Sequence, residues 1–219
     1  MNILIIGQEK RVDILSVFLT SKGFTNLTKV NKYNGQNHFD LVFDLDFDQK
    51  KPDLSIYSNL NCPLILSSVL IELSSLNGIN QLKFPVYGFN AIPGFIERDQ
   101  FEMSSLRDEN KAIIETILSE KNIGINWVKD RVGMVSPRII FMIINEAYYT
   151  VQEKTAEKND IDIAMKLGTN YPKGPFEWLN TCGIEQEYKT LEAVYNDTKD
   201  ERYKICSTLK TEYLKNQNQ

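Results

Sequence analysis

The sequence predicts an α/β protein in two parts, a truncated parallel-sheet domain over residues 1–129 and an all-helical domain over residues 130–219. Two patterns carry this reading. The run Asn2 to Ile6 ends at Gly7 and is followed by Val12, Leu15, Phe18 and Leu19 on one helical face, then by a second run from Leu27 to Val30. Strand, helix, strand in that order opens a parallel sheet. After Ser136 the strand signals stop, and Ile140, Ile143, Ile144, Ala147 and Val151 make a stripe with the 3.6-residue period. With 219 residues, 42% of them hydrophobic, there is apolar material for a core in each part.

Gly23 closes the first helix, and Phe39 to Leu45 reads as a third strand with Asp44, Asp46 and Asp48 at its end. Between Asp46 and Pro63 the chain is short and polar, and Lys50, Lys51 and Pro52 break helical continuity, so a full crossover helix barely fits. This half is trimmed. Pro63 to Ser67 and Pro85 to Asn90 supply two more strands around a brief helix at Val69 to Leu76. Asp108 to Lys121 has helical spacing, and Ile125 to Val128 is a last strand. In the second part Ser136 suits an N-cap and Pro137 the first helical position. A second helix covers Asp160 to Leu167 and stops at Gly168, a third starts at Gly174-Pro175, and Leu191 to Tyr195 and Tyr203 to Leu214 give the last two. The domain boundary falls near Asp130-Arg131.

A formal charge of −4, from 25 basic and 29 acidic residues, gives no general attraction to nucleic acid or anionic lipid. The opening apolar run is too short for a signal peptide or a membrane span. Cys62, Cys182 and Cys206 are odd in number and far apart, which suggests neither a disulfide framework nor a zinc site and fits a reducing cytoplasm. The single histidine, His38, sits in a polar turn with Gln36 and Asn37 and reads as a surface residue. The three aspartates read as a solvated strand end rather than a metal site.

Four segments fall in register with one family. Asp130-Arg131-Val132-Gly133, Asn145-Glu146-Ala147-Tyr148, Asp160 to Gly168, and Tyr171-Pro172-Lys173-Gly174-Pro175-Phe176-Glu177 resemble the C-terminal domain of 3-hydroxyacyl-CoA dehydrogenases in order and spacing. The resemblance implies a Rossmann-like N-terminal domain for NAD. It also implies a helical C-terminal domain that forms a homodimer and walls an acyl-CoA cleft, and the oxidation of a 3-hydroxyl in fatty-acid metabolism. The aromatic group Tyr148, Tyr149, Tyr171, Phe176 and Trp178 then reads as core and dimer packing, with an acyl-chain groove as the alternative.

Carried over residue by residue, the resemblance keeps little of the chemistry. A dinucleotide fingerprint needs three glycines; Gly7 holds the first position, while Glu9 and Val12 hold the others. A carboxylate at ~6 Å from a phosphate charge, at an effective dielectric of ~20, costs on the order of 3 kcal/mol, which weakens binding by about two orders of magnitude. Asn31 stands where an acid would hold the ribose. Cofactor contacts are therefore assigned to Gly7 and Asn31. The family's histidine base falls on Tyr87, in Tyr87-Gly88-Phe89-Asn90-Ala91-Ile92-Pro93, and its orienting glutamate on Glu102 if residues 94–100 hold a small insertion. Its serine falls on Leu70, with Ser67 or Ser68 as substitutes, and its asparagine on Pro137. The expectation is a family member with weak or no dehydrogenase activity. The alternatives are an oxidoreductase with a rearranged site using Tyr87 or Glu102, or an acyl-CoA-binding or regulatory module that pairs with itself or an active paralogue.

Overall fold

The computed structural model describes residues 1–35, 38–50 and 53–217. The helix-breaking Lys51 and Pro52, and the Gln36 and Asn37 beside His38, lie outside the described residues. The chain forms two compact units, 1–134 and 135–219.

Unit 1 is built on β1 (Asn2–Ile6), β2 (Asn26–Val30), β3 (Leu41–Asp44), β4 (Leu64–Ser67), β5 (Val86–Phe89), β6 (Gln100–Ser105) and β7 (Gly124–Trp127), with helices α1 (Glu9–Ser21) and α2 (Lys111–Ser119). The sheet order is β2-β1-β3-β4-β5-β6-β7. Neighbours from β2 to β5 pair in parallel, β6 runs antiparallel to β5, and β7 is parallel to β6. This is a Rossmann-like sheet. Its inner strands are apolar at nearly every position because both faces are covered. Ile3, Ile5, Leu41, Phe43, Ile65 and Phe89 join the core that includes α1 and α2 residues, while Leu4, Ile6, Val42, Leu64, Leu66 and Val86 join the other.

That second face shows how the domain is shortened. No crossover α-helix lies on it among the described residues; Phe47–Gln49, Leu54–Tyr57, Leu73–Ser75 and Ile79–Gln81 are single 3-10 turns. The helix read over Val69 to Leu76 is reduced to one of these turns. The strand β6 is absent from the sequence reading, which took its approach as an insertion. Phe101 and Met103 point into the first core, while Glu102 and Ser104, also buried, take the opposite face.

The junction segment belongs to unit 1. The Asp130 carboxylate accepts the amides of Leu73 and Ser74 at 2.8 and 2.9 Å, the Gly133 amide donates to the Val69 carbonyl at 2.6 Å, and Arg131 pairs with Glu72 at 3.1 Å. These bonds carry the boundary past Asp130-Arg131 to Met134.

Unit 2 contains α3 (Ser136–Gln152), α4 (Lys158–Thr169), α5 (Pro175–Cys182), α6 (Ile184–Thr198) and α7 (Ser207–Asn216), with α3 packed against the other four. Gly168 does not end α4. The helix runs one residue further, and Asn170 closes it in the left-handed conformation with φ 56°, a role asparagine fills next best after glycine. The sequence motifs turn out to be fasteners. Asp162 accepts the Phe176 amide at 2.8 Å and occupies the space a side chain on Gly174 would need. Glu177 accepts the Gly174 amide at 3.0 Å and pairs with Lys166. Asn145, buried, binds both the Lys204 carbonyl and the Cys206 amide at 2.9 Å, tying the start of α7 to α3. Tyr148 and Phe176 meet edge to face with centroids 5.2 Å apart. No described helix is long and apolar enough to cross a membrane, and the three cysteines are buried without a disulfide.

One core group conflicts with its surroundings. Glu187 on α6 is fully buried and neither carboxylate oxygen has a hydrogen-bond partner. Burial raises its proton affinity well above the carboxylate range; the charge of Glu212 on α7 adds to this, and Lys158 on α4 opposes it. Lys158 is itself paired with Glu212 at 2.7 Å. A carboxyl whose folded pKa is raised contributes stability below its unfolded pKa and loses it as pH rises toward the folded value. Glu187→Gln is therefore expected to raise Tm by roughly 3–6 °C at about pH 8 and to change it little at about pH 4.5. Thermal melts at both pH values check this, and an equal effect at both would count against the buried acid.

Candidate functional site

Open α/β sheets bind ligands outside the carboxyl ends of their strands. Here that edge carries two polar clusters. The first surrounds the opening turn, where β1 ends at Ile6, Gly7 takes φ 151° and Gln8 caps α1. A side chain at Gly7 would come within 3.2 Å of Leu45 Cβ and 3.4 Å of the Asp46 carboxyl group. The turn requires glycine because the chain leaving β3 packs directly on it.

Asp46 then reaches into the turn. Its Oδ2 accepts the Gln8 amide at 2.6 Å, and its Oδ1 lies 3.3 Å from Arg11 Nη1, which also donates to the Leu45 carbonyl at 2.5 Å. Arg11 and Asp46 are 5% and 1% exposed. A cation in the first turn of a helix opposes the macrodipole, and this one is held by a buried carboxylate. Beside the pair opens a cleft of about 760 Å³ whose lining includes Gly7, Glu9, Lys29, Asn31 and Lys50. Lys29 bridges to Asp13, also on the wall, at 2.9 Å.

Gly7 and Asn31, the two positions the resemblance assigns to the cofactor, thus share one cleft. A dinucleotide pyrophosphate needs amides at the first turn of the helix and a loop bare of like charge. The Gln8 amide is taken by Asp46, and Glu9 places a second carboxylate on the cleft wall. The residues present do not fit the phosphates of NAD.

The three aspartates read as a solvated strand end are instead buried, at 8%, 1% and 6% exposure for Asp44, Asp46 and Asp48. Each is consumed internally. The Tyr57 phenol donates to Asp44 Oδ2 at 2.6 Å, and burial holds the Asp44 carboxyl above the ordinary carboxylate range while this hydrogen bond pulls it back. Asp48 accepts Ser67 Oγ at 2.8 Å and the amides of Val69 and Leu70 at 2.7 and 3.0 Å. Among the described residues no group of three acid, histidine or cysteine side chains could hold a metal.

The second cluster lies on the ends of β4 and β5 and on β6. Asn90 Nδ2 donates to Glu102 Oε2 at 3.3 Å, and the Asn90 amide donates to the Glu102 carbonyl at 3.1 Å. Ser68 and Ser104 close over the bare backbone of Gly88, and both hydroxyls are buried without a hydrogen-bond partner. A carboxylate, an amide and two hydroxyls can hold an oxygen-bearing group and exchange a proton with it.

Tyr87 is not part of this cluster. It faces the α1–α2 core, fully buried, and its phenol donates to the Asn110 carbonyl at 2.6 Å. Burial pushes its pKa up, away from what a base at neutral pH needs. The alternation of side chains along β5 sends Tyr87 and Phe89 to one face and leaves Gly88 and Asn90 on the other, so a base at Tyr87 is corrected to a core phenol. His38 is no substitute. It stacks on Phe39 at 4.5 Å just before β3, near Asp40, whose amide donates to the Asn2 carbonyl at the opposite edge of the sheet. Leu70 contributes an amide rather than a hydroxyl, and Pro137 lies in the first turn of α3.

Sequence reasoning missed Arg11, Asn90 and Ser104. The available signal was a basic residue in a helical first turn, which calls for a compensating acid.

Residues 133–219 match the family profile described as 3-hydroxyacyl-CoA dehydrogenase, C-terminal domain. The chain is similar to 3-hydroxyadipyl-CoA dehydrogenase of Escherichia coli (strain K12), 40% identical over 97 residues, which are 44% of this chain and 20% of that protein. It is 36% identical over 88 residues, 40% of this chain and 30% of the relative, to the probable 3-hydroxybutyryl-CoA dehydrogenase of Bacillus subtilis (strain 168). The matches to these two relatives thus span less than a third of their lengths. The crystal structure of (S)-3-hydroxybutyryl-CoA dehydrogenase PaaH1 from Ralstonia eutropha superposes with TM-score 0.67 at 17% identity, covering 96% of this chain and 92% of that one, a likeness of fold.

Asp48→Asn removes a charge that accepts four hydrogen bonds, the fourth from the Gln49 side chain at 3.2 Å. It is expected to lower stability by about 2–3 kcal/mol, read as a Tm lower by roughly 5–10 °C. A thermal melt indistinguishable from wild type would return this carboxylate to the solvated strand end of the sequence reading.

Proposed function

We propose that this chain, which belongs to the 3-hydroxyacyl-CoA dehydrogenase family through its C-terminal domain, keeps the family's two-unit plan but carries out NAD-dependent oxidation of 3-hydroxyacyl-CoA weakly or not at all. One observation carries the reading. The position in register with the base holds a buried phenol bonded to a backbone carbonyl, and the chain's only imidazole lies at the opposite edge of the sheet. Oxidation of a hydroxyl to a ketone needs a group that takes the proton as hydride leaves, and a base poised near neutrality does this best. The Asp46 and Glu9 carboxylates at the cofactor cleft support the same reading from the side of binding. What remains is a module suited to taking up an acyl-CoA-like ligand or to pairing with a catalytically competent relative. The buried, reduced cysteines support a cytoplasmic setting.

The second cluster favours one further reading, an oxidoreductase with a rearranged site in which Glu102 accepts the proton while Asn90 and the two serines hold the ligand oxygen. A single comparison separates them. Wild type and Glu102→Gln are each given NAD and 3-hydroxybutyryl-CoA, and absorbance of the reduced cofactor is followed. Neither is expected to rise above the enzyme-free background. Turnover by wild type that is lost in Glu102→Gln would establish the second reading, and robust turnover by both would overturn the proposal.

A homodimer through the helical unit belongs to the same proposal. Leu167 on α4 is 83% exposed, and Ile163, four residues earlier and so on the same face of that helix, is also exposed, an apolar strip that supports a partner surface. Sedimentation at micromolar concentration is expected to give a dimer for wild type and a monomer for Leu167→Glu with an unchanged circular dichroism spectrum. A wild-type monomer would remove the dimer.

A further inference from the structure

We infer that Asp46 is an internal occupant of the opening turn, a carboxylate of the chain's own that stands in for the phosphate of a bound ligand, so that unit 1 is completed without one.

The geometry is that of a bound anion. One oxygen takes the backbone amide at the cap of α1, at 2.6 Å, and the other faces a guanidinium at 3.3 Å. Amides at a helix start and an arginine are the two kinds of donor that phosphate sites combine. Here the amide is hydrogen-bonded to Asp46. The guanidinium, whose own hydrogen bond goes to the Leu45 carbonyl, pairs with the carboxylate by charge alone, Oδ1 receiving no hydrogen bond among the described residues in a side chain that is 1% exposed. The side chain is not free to swing out. The Asp46 amide donates to Asp44 Oδ1 at 3.0 Å, its carbonyl accepts the Gln49 amide at 3.0 Å, and Asp44 is fixed by the Tyr57 phenol. Withdrawal would also leave Arg11 buried beside the positive end of its helix with no counter-charge, an arrangement proteins avoid. A phosphate arriving from the cleft therefore meets an occupied amide and a fixed negative charge. The surrogate also explains why Arg11 is tolerated in the first turn.

The inference shares its cleft with the proposed loss of dehydrogenase activity, but binding is read without substrate, so the two fail separately. The experiment measures Tm for the full chain as wild type, Asp46→Ala and Asp46→Asn, with NAD, inorganic pyrophosphate or formate, each against chloride at equal ionic strength. Wild type is expected to show no saturable shift with NAD or pyrophosphate. Asp46→Ala is expected to melt roughly 10 °C lower and to regain most of that loss in formate, which fits the space and charge removed. Asp46→Asn, whose amide still fills the space, is expected to fall without recovering. Stabilisation of wild type by NAD or pyrophosphate would overturn the inference even if no turnover followed. An Asp46→Ala protein as stable as wild type, or one indifferent to formate, would overturn it equally. If Asp46→Ala does not fold, the Gln8 amide proton decides between wild type and Asp46→Asn by nuclear magnetic resonance. It should lie far downfield in the first and move upfield in the second; an unmoved resonance means that the carboxylate is not its acceptor.

Discussion

The buried pair of Arg11 and Asp46 organises the ligand-binding edge of the sheet unit. Through Asp46 the end of β3 is fastened to the turn after β1, and through Arg11 the same contact reaches the first turn of α1 and the Leu45 carbonyl. A buried ion pair gives little net stability over an apolar pair of the same shape, but loss of one partner is severe. Its effect is therefore to fix a geometry, the close approach of two chain segments at Gly7, that a glycine-rich turn normally reserves for a ligand.

The second constraint is that, among the described residues, no crossover α-helix covers one face of the sheet. With 3-10 turns in place of helices on one face of the sheet, backbone groups that a helix would satisfy internally must find other partners. The polar residues at the strand ends supply them: Asp48 receives two amides, Asp130 two more, and Asp44 anchors the phenol of Tyr57 beneath the turns. Side chains that resemble a site by composition are spent on holding a shortened fold together. Glu102, Asn90, Ser68 and Ser104 are the contrasting set, because two of those hydroxyls are left without partners.

The fold was legible wherever one physical signal dominated. Six of the seven strands were readable; β1, β3, β4 and β5 were short apolar runs, since strands buried on both faces leave little room for polar residues, whereas β2 and β7 at the sheet edges are only partly buried. The seventh, β6, escaped because Glu102 and Ser104, polar yet buried, interrupt the continuous apolar run by which the inner strands were read. In the helical unit the start of α5 at Gly174-Pro175 was visible, but Ser136 is the first residue of α3 with Val135 at its cap, and Gly168 misled because Asn170 offers the left-handed conformation two residues later. The site was less legible. Tyr87 could be placed in register but not in direction, since one residue of offset along a strand turns a side chain from cleft to core. Asp44, Asp46 and Asp48 were noticed, but a sequence does not distinguish three solvated acids from three buried ones; that depends on Tyr57, Arg11 and Ser67, which are remote in the chain.

The stretch between Ser68 and Ser75 has a consequence for how such a domain changes over generations. Four of its amides, those of Val69, Leu70, Leu73 and Ser74, are received by just two acids, Asp48 before the segment and Asp130 well after it. Adding or deleting one residue there would slide every donor past its acceptor at once, whereas a helical crossover absorbs length changes at its ends. This segment therefore tolerates changes in its letters far more readily than changes in its length.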